Sequence, residues 1–240
     1  MAHTPEKLVE ELKDACGPNL KSVVLYGSMA AGDSVAKRSD HNTLVVLERL
    51  GVGELKAISG VAGRWAEAGN PAPLLFTWAR LKKSGDVFPI ELSDIKENHK
   101  ILFGENPLED IPIDQGNMRV ELEHEMKGKL IQLRERFLLT RGDPQEVREL
   151  LIDSLSTFLV LFRAALRLHG ERPPASKLEA LRALRKHIEF DEEIFRGVHE
   201  LKAGGKGPGL DPMTMFENFL RGVETVTDAV DEWVHSEKKP

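Results

Sequence analysis

Asp40 and Asn42 stand two residues apart at the mouth of the apolar run TLVVL. If that run is a strand, side chains at this spacing point to the same face. Upstream, a β-rich run ends in Gly27-Ser28 and leads into MAAGDSVA. A strand that turns straight into a helix presents N–H groups and a hydroxyl at the helix N-terminus, and phosphate is the ligand such a terminus accepts best. Gly27 lets a ligand approach the backbone, and Ala30, Ala31 and Gly32 leave the helix face unobstructed. The pair at 40 and 42 would look at this turn with one charged oxygen donor and one neutral one. A hard cation such as magnesium depends on the charged kind. His41, between them, alternates to the opposite face, where a packing or hydrogen-bonding role is expected.

The elements that must position these residues are short. Thr4-Pro5 starts an amphipathic helix carrying Leu8, Leu12 and Ala15, and Gly17-Pro18 ends it. SVVLYG and TLVVLERL read as strands, a helix spans about residues 53 to 67, and PLLFTW and VFPIEL read as two further strands. Four strands with covering helices make a small mixed sheet. From Leu122 the pattern changes: Leu122, Met126, Leu130, Leu133 and Phe137 are spaced by three or four, as on a helix with one buried stripe. Further helices are expected from Pro144 to about His169, over Leu178 to Ile188, over Phe190 to Leu201 and over Phe216 to Val234. AGGKGPGLDP reads as a loop and EKKP as a frayed tail. The expected fold class is α+β, with a mixed-sheet domain over residues 1–115 and an all-α up-and-down bundle over 116–240.

The stretch Val23 to Val46, with Gly27, Ser28, Gly32, Ser39 and Asp40 in place, resembles the nucleotidyltransferase superfamily of DNA polymerase β, kanamycin nucleotidyltransferase and the minimal nucleotidyltransferases. The signature of that superfamily is a Gly-Ser turn followed by Asp-x-Asp, and this chain departs from it at Asn42. The resemblance implies a nucleotide site in which Gly27, Ser28, Ser39 and Asn42 meet a nucleoside triphosphate such as ATP. It also implies magnesium on Asp40 and on a third carboxylate from a later strand of the sheet. Glu91 at the end of VFPIEL is the candidate, and Asp94, expected to start a helix over IKENHKILFG, is the alternative. The implied reaction transfers a nucleoside monophosphate, AMP by preference, to a hydroxyl of a small molecule or protein, with loss of pyrophosphate. Losing one preorganised charge costs about 3 kcal/mol in such a site. The rival expectation is therefore an impaired descendant that binds a nucleotide or a partner.

The helical half resembles two arrangements: the acceptor-binding helices of aminoglycoside nucleotidyltransferases, and the HEPN helical domains that accompany minimal nucleotidyltransferases. HEPN ribonucleases carry an arginine and a histidine separated by four to six residues. Arg182 with His187 meets that spacing, as does Arg163 with His169, so a helical chain rich in arginine satisfies it easily. Glu121, Glu123 and Glu125 could meet a cationic acceptor, but alternate spacing spreads them round a helix as a solvated face. AGGKGPG lacks the Lys-Ser/Thr ending of a P-loop.

Composition narrows the classes. The net charge is −6, with acidic and basic residues interleaved, which is not a nucleic-acid-binding surface. The most apolar window, from Leu150, is broken by Asp153, Arg163 and Arg167 and reads as the central helix of a bundle instead of a membrane span. MAHTPEKLVEEL has acidic residues and not the apolar stretch expected of a secretory signal, and the single cysteine, Cys16, is expected as a buried thiol in a reducing compartment. A cytoplasmic protein with a nucleotide ligand is expected, with the helical domain available for a homodimer.

Overall fold

A computed structural model of the chain describes residues 4–27, 30, 41–174 and 176–236. The chain divides into two compact units, Met1–Asp114 and Gln115–Pro240.

The first unit opens with α1 (Pro5–Cys16), whose N-cap Thr4 accepts the N–H of Lys7 through its hydroxyl and whose first residue is the proline that position favours. β1 (Leu20–Tyr26) and β2 (Asn42–Leu47) follow. In α2 (Val52–Glu67) the Glu54 carboxylate reaches back to the Gly51 N–H at 2.8 Å. Then come β3 (Leu74–Thr77), the short α3 (Trp78–Leu81), α4 (Pro89–Glu97) and β4 (His99–Gly104).

The sheet order is β3-β2-β1-β4, with β2 and β3 parallel and the other neighbours antiparallel. Strand alternation gives each face its own core. Val23, Val45 and Leu47 pack against Leu8, Leu12, Ile58 and Trp65 of α1 and α2. Val24, Leu44 and Val46 pack on the other face with Leu81, Leu92, Ile95, Leu108 and Ile111. Cys16 sits at the edge of the first core, and its burial raises the thiol pKa above the ordinary value, which suits a packing role.

Two elements depart from the sequence expectation. VFPIEL is not a strand: Pro89 occupies the first position of α4, where a missing N–H costs nothing, and Ile90, Leu92 and Ile95 are buried. The fourth strand is instead HKILFG, expected above as part of a helix. It closes on β1 and ends at Gly104, whose φ of +77° and approach to the Lys21 carbonyl leave no room for a side chain.

The second unit is helical: α5 (Gln115–Thr140), α6 (Pro144–Leu168), α7 (Lys177–Leu184), α8 (Glu193–Lys202) and α9 (Pro212–Ser236). α6 is the central helix, packing on α5, α7, α8 and α9. Phe158, Phe162, Phe195 and Phe219 are fully enclosed and meet one another edge-on or tilted, Phe162 and Phe195 at 5.2 Å and Phe195 and Phe219 at 4.7 Å between centroids. The glycine-rich run forms a connector between α8 and α9, with Gly204, Gly207 and Gly209 at positive φ. Among the described residues no helix is long and apolar enough to cross a membrane.

Candidate functional site

Of the residues singled out by their chemistry, Gly27 and Asn42 lie together at one end of the sheet. The register pairs Tyr26 with Asn42 on one side and with His99 on the other. Val24, Leu44 and Ile101, two residues further in on each strand, all belong to the core on the α4 face. Asn42, Tyr26 and His99 therefore form a row across three strands on that same face.

Gly27 continues β1 with φ +84°. Its N–H donates to the Asn98 carbonyl at 3.1 Å, and its carbonyl accepts from the Ala30 N–H at 3.0 Å. The Gly27 N–H is thus committed to the Asn98 carbonyl, so the phosphate donors expected of this turn would have to come from residues after it. A Cβ on Gly27 would lie 3.2 Å from Asn42 Nδ2, which puts the Asn42 amide against the turn, as the spacing implied. Ser28, Ser39 and Asp40 lie outside the described residues.

His41 occupies the opposite face. Its backbone N–H and its ring Nδ1 both donate to Asn70 Oδ1, at 3.1 and 3.2 Å, and its ring lies 5.9 Å from that of Trp65. Asn70 is itself held by a bond from its amide to the Trp65 carbonyl. This is the packing and hydrogen-bonding role that alternation assigned to His41.

Glu91 needs a correction. It does not end a strand but sits exposed in the first turn of α4. Asp94 lies in the same helix, one turn on, and does not start one. The end of α4 that meets the turn is its C-terminus, since Asn98 follows directly and holds Gly27. At 1.5 Å per residue, Glu91 stands roughly 9 Å back along the axis from Glu97. The later strands offer no alternative: β3 reads LLFT and β4 reads HKILFG, without a carboxylate in either.

The described donors at this end are therefore an amide, a phenol and an imidazole. Burial raises the Tyr26 pKa, which keeps the phenol protonated. Among the described residues no group of three or more His, Cys, Asp or Glu side chains could hold a metal ion. These described donors bring no charged oxygen of the kind magnesium asks for, and Asp40, the carboxylate expected here, lies outside the described residues. Sequence reading missed Tyr26, His99 and Asn70. Tyr26 and His99 could have been found from the alternation of LKSVVLY and HKILFG.

In the second unit the Arg182 and His187 of the matching spacing sit in different surroundings. Arg182 is exposed on α7, whereas His187, past the helix end, binds Glu171 through Nε2 at 2.8 Å and stacks on His169 at 4.4 Å. Arg163, the arginine of the other matching spacing, is buried and donates to the Pro174 carbonyl.

The fold is similar to that of a solved adenyltransferase. Among solved structures, spectinomycin adenyltransferase AAD(9) from Enterococcus faecialis, determined with ATP and spectinomycin, matches with a TM-score of 0.57 at 13% identity, covering 95% of this chain and 100% of that one. A toxin-antitoxin structure with AMP-PNP matches 43% of this chain and 76% of its own at 19% identity, with a TM-score of 0.31, too slight to bear on the fold. No family model matches the chain, and none of the curated proteins matches it in sequence.

Proposed function

We propose that the first unit binds a nucleoside triphosphate, ATP by preference, at the Gly27 turn, and that the chain is a catalytically impaired nucleotidyltransferase acting as a nucleotide-binding module. One observation carries this reading: the turn and Asn42 are packed together as a phosphate site requires, while the strands that should complete the carboxylate set hold none. The phosphates would meet the N–H groups and hydroxyl that follow Gly27, with Ser28 and Ser39 as contacts and the Asn42 amide beside them. Asp40 would be the carboxylate available to a magnesium ion.

A second reading is residual transfer of AMP to a hydroxyl of a small molecule. It is favoured by the likeness along nearly the whole chain to an adenyltransferase solved with ATP and spectinomycin.

Thermal unfolding with ATP, with and without magnesium, tests the site. A ligand at a hundred times its Kd stabilises by about 2.7 kcal/mol. We expect ATP to raise Tm, and the magnesium-dependent part of the shift to vanish in Asp40→Ala; an unchanged Tm in the wild type would end the nucleotide reading. Asn42→Asp separates the two readings. If the site is impaired chiefly at this position, the carboxylate should tighten Mg-ATP binding and raise any turnover on the order of a hundredfold. Robust adenylyl transfer by the unmodified protein would instead favour the second reading.

A further inference from the structure

In the helical unit, α5 carries apolar side chains on two faces. Met118, Leu122, Met126, Leu130 and Leu133 form its buried stripe, where α6 and α9 pack. On the other side Val120, Ile131, Leu138 and Leu139 stand 62, 54, 74 and 77% exposed. Single exposed apolar residues are ordinary on a protein surface. These are in line: three turns separate Val120 from Ile131 and two separate Ile131 from Leu138, so the three share one direction within about 20°. His124, Lys127 and Glu135, all exposed, complete this outward face.

Gly128 lies beside Ile131, one turn away. A glycine inside a helix is destabilising. Among the described residues a Cβ here would meet nothing within 4 Å, so no neighbour in the same chain requires its absence. Charge is also divided along the helix: Glu121, Glu123 and Glu125 come first and Lys127, Lys129, Arg134 and Arg136 follow, with Arg119 and Glu135 as the exceptions. α9 borders the face on one side, where Lys127 is bound to Asp231 at 2.9 Å and Arg134 to Glu224 at 2.8 Å.

We infer that this face is an interface between two copies of the chain, in which the α5 helices pack antiparallel about a two-fold axis with Ile131 of each copy seated over Gly128 of the other. A two-fold contact must be self-complementary, residue i meeting j and j meeting i. In the register that sets Ile131 over Gly128, His124 faces Glu135 and Val120 faces Leu138 and Leu139, each pairing occurring twice. The imidazole N–H donates to the carboxylate. Ile131 fills the place the glycine leaves open, and the acidic start of one helix lies along the basic end of the other. A parallel pairing would instead oppose Glu135 to Glu135 and Lys127 to Lys127, and a lipid surface would have to bury the same charges. The contact runs for roughly 28 Å along each helix. ATP binding at the Gly27 turn plays no part in it.

Sedimentation velocity of the whole chain at up to about 100 μM tests it. The wild type should be a dimer. Ile131→Glu and Gly128→Phe should each weaken that dimer at least about tenfold, because both alter the centre of the contact. Gly128→Phe has no neighbour in its own chain to disturb, so its helical circular dichroism should be unchanged. In a Cys16→Ser background, Val120→Cys mixed with Leu139→Cys should cross-link through a short bis-maleimide. Val120→Cys alone should not, since antiparallel packing holds the two copies of residue 120 roughly 28 Å apart. A monomeric wild type at the highest concentration overturns the inference. So does a dimer that survives both variants, a missing link between 120 and 139, or a link from 120 to itself. Should the variants at 128 and 131 fail to fold, the cross-linking decides alone.

Discussion

The aromatic core of the helical unit and the polar end of the sheet are built on opposite terms. In the first, Phe158, Phe162, Phe195 and Phe219 are enclosed by one another and by α6, with every large side chain satisfied by contact alone. In the second, Asn42, Tyr26 and His99 are only partly covered, and the hydrogen bonds around Gly27 fix their backbone more than their surroundings do. If the polar end of the sheet is the ligand site proposed above, substitutions in the two regions should sort by whether they move stability or ligand affinity.

The largest effect is expected from Phe195→Ala. Removing a fully enclosed ring costs about 3–5 kcal/mol, read from urea unfolding, and ATP affinity below the transition should be unchanged. A parallel loss of ATP affinity would break the comparison. Gly222→Ala attacks the same core from the other direction, because a Cβ there would lie 2.7 Å from the Phe195 ring; overpacking of this kind costs about 1–3 kcal/mol, again without an effect on ATP.

At the sheet end, Gly27→Ala should cost about 1–2 kcal/mol from its left-handed backbone and also blunt the ATP response, since the new Cβ presses on the Asn42 amide. Adding Asn42→Ala should relieve the contact but leave the backbone strain. The smallest effect is one of pH. Burial first, and then the neighbouring His187, lower the pKa of His169 below the ordinary 6.5, so the unfolded chain binds the proton more readily. Stability should therefore decline as pH falls below 6.5 toward the lowered value, and His169→Gln should flatten that decline in thermal scans across pH 5 to 7.

The helical unit was legible because spacing by three and four over twenty residues cannot be confused with a strand. Met126, Leu130 and Leu133 are buried as the spacing required. The short runs of the sheet unit were less so, because an apolar run of four to eight residues suits either element. Pro89 decided VFPIEL in favour of a helix start, and HKILFG became a strand through its pairing with β1, a long-range contact that no local pattern carries. For the same reason the site was read in part. Gly27 follows from the strand-and-turn pattern and the opposite faces of Asn42 and His41 from local alternation, whereas His99 joins their row only through cross-strand register. Glu91 was misplaced along with the strand that was meant to carry it.

The contact between Gly27 and Asn42 also bears on which of the two residues a substitution can usefully probe. Gly27 is demanded by a positive φ and by a neighbour 3.2 Å from any side chain it could carry, and both demands hold whether or not the site turns over. This glycine is therefore accounted for by backbone geometry alone, whatever the site binds. Asn42, which faces it across the turn, is under no such obligation, so a substitution there can report on the ligand without disturbing the backbone.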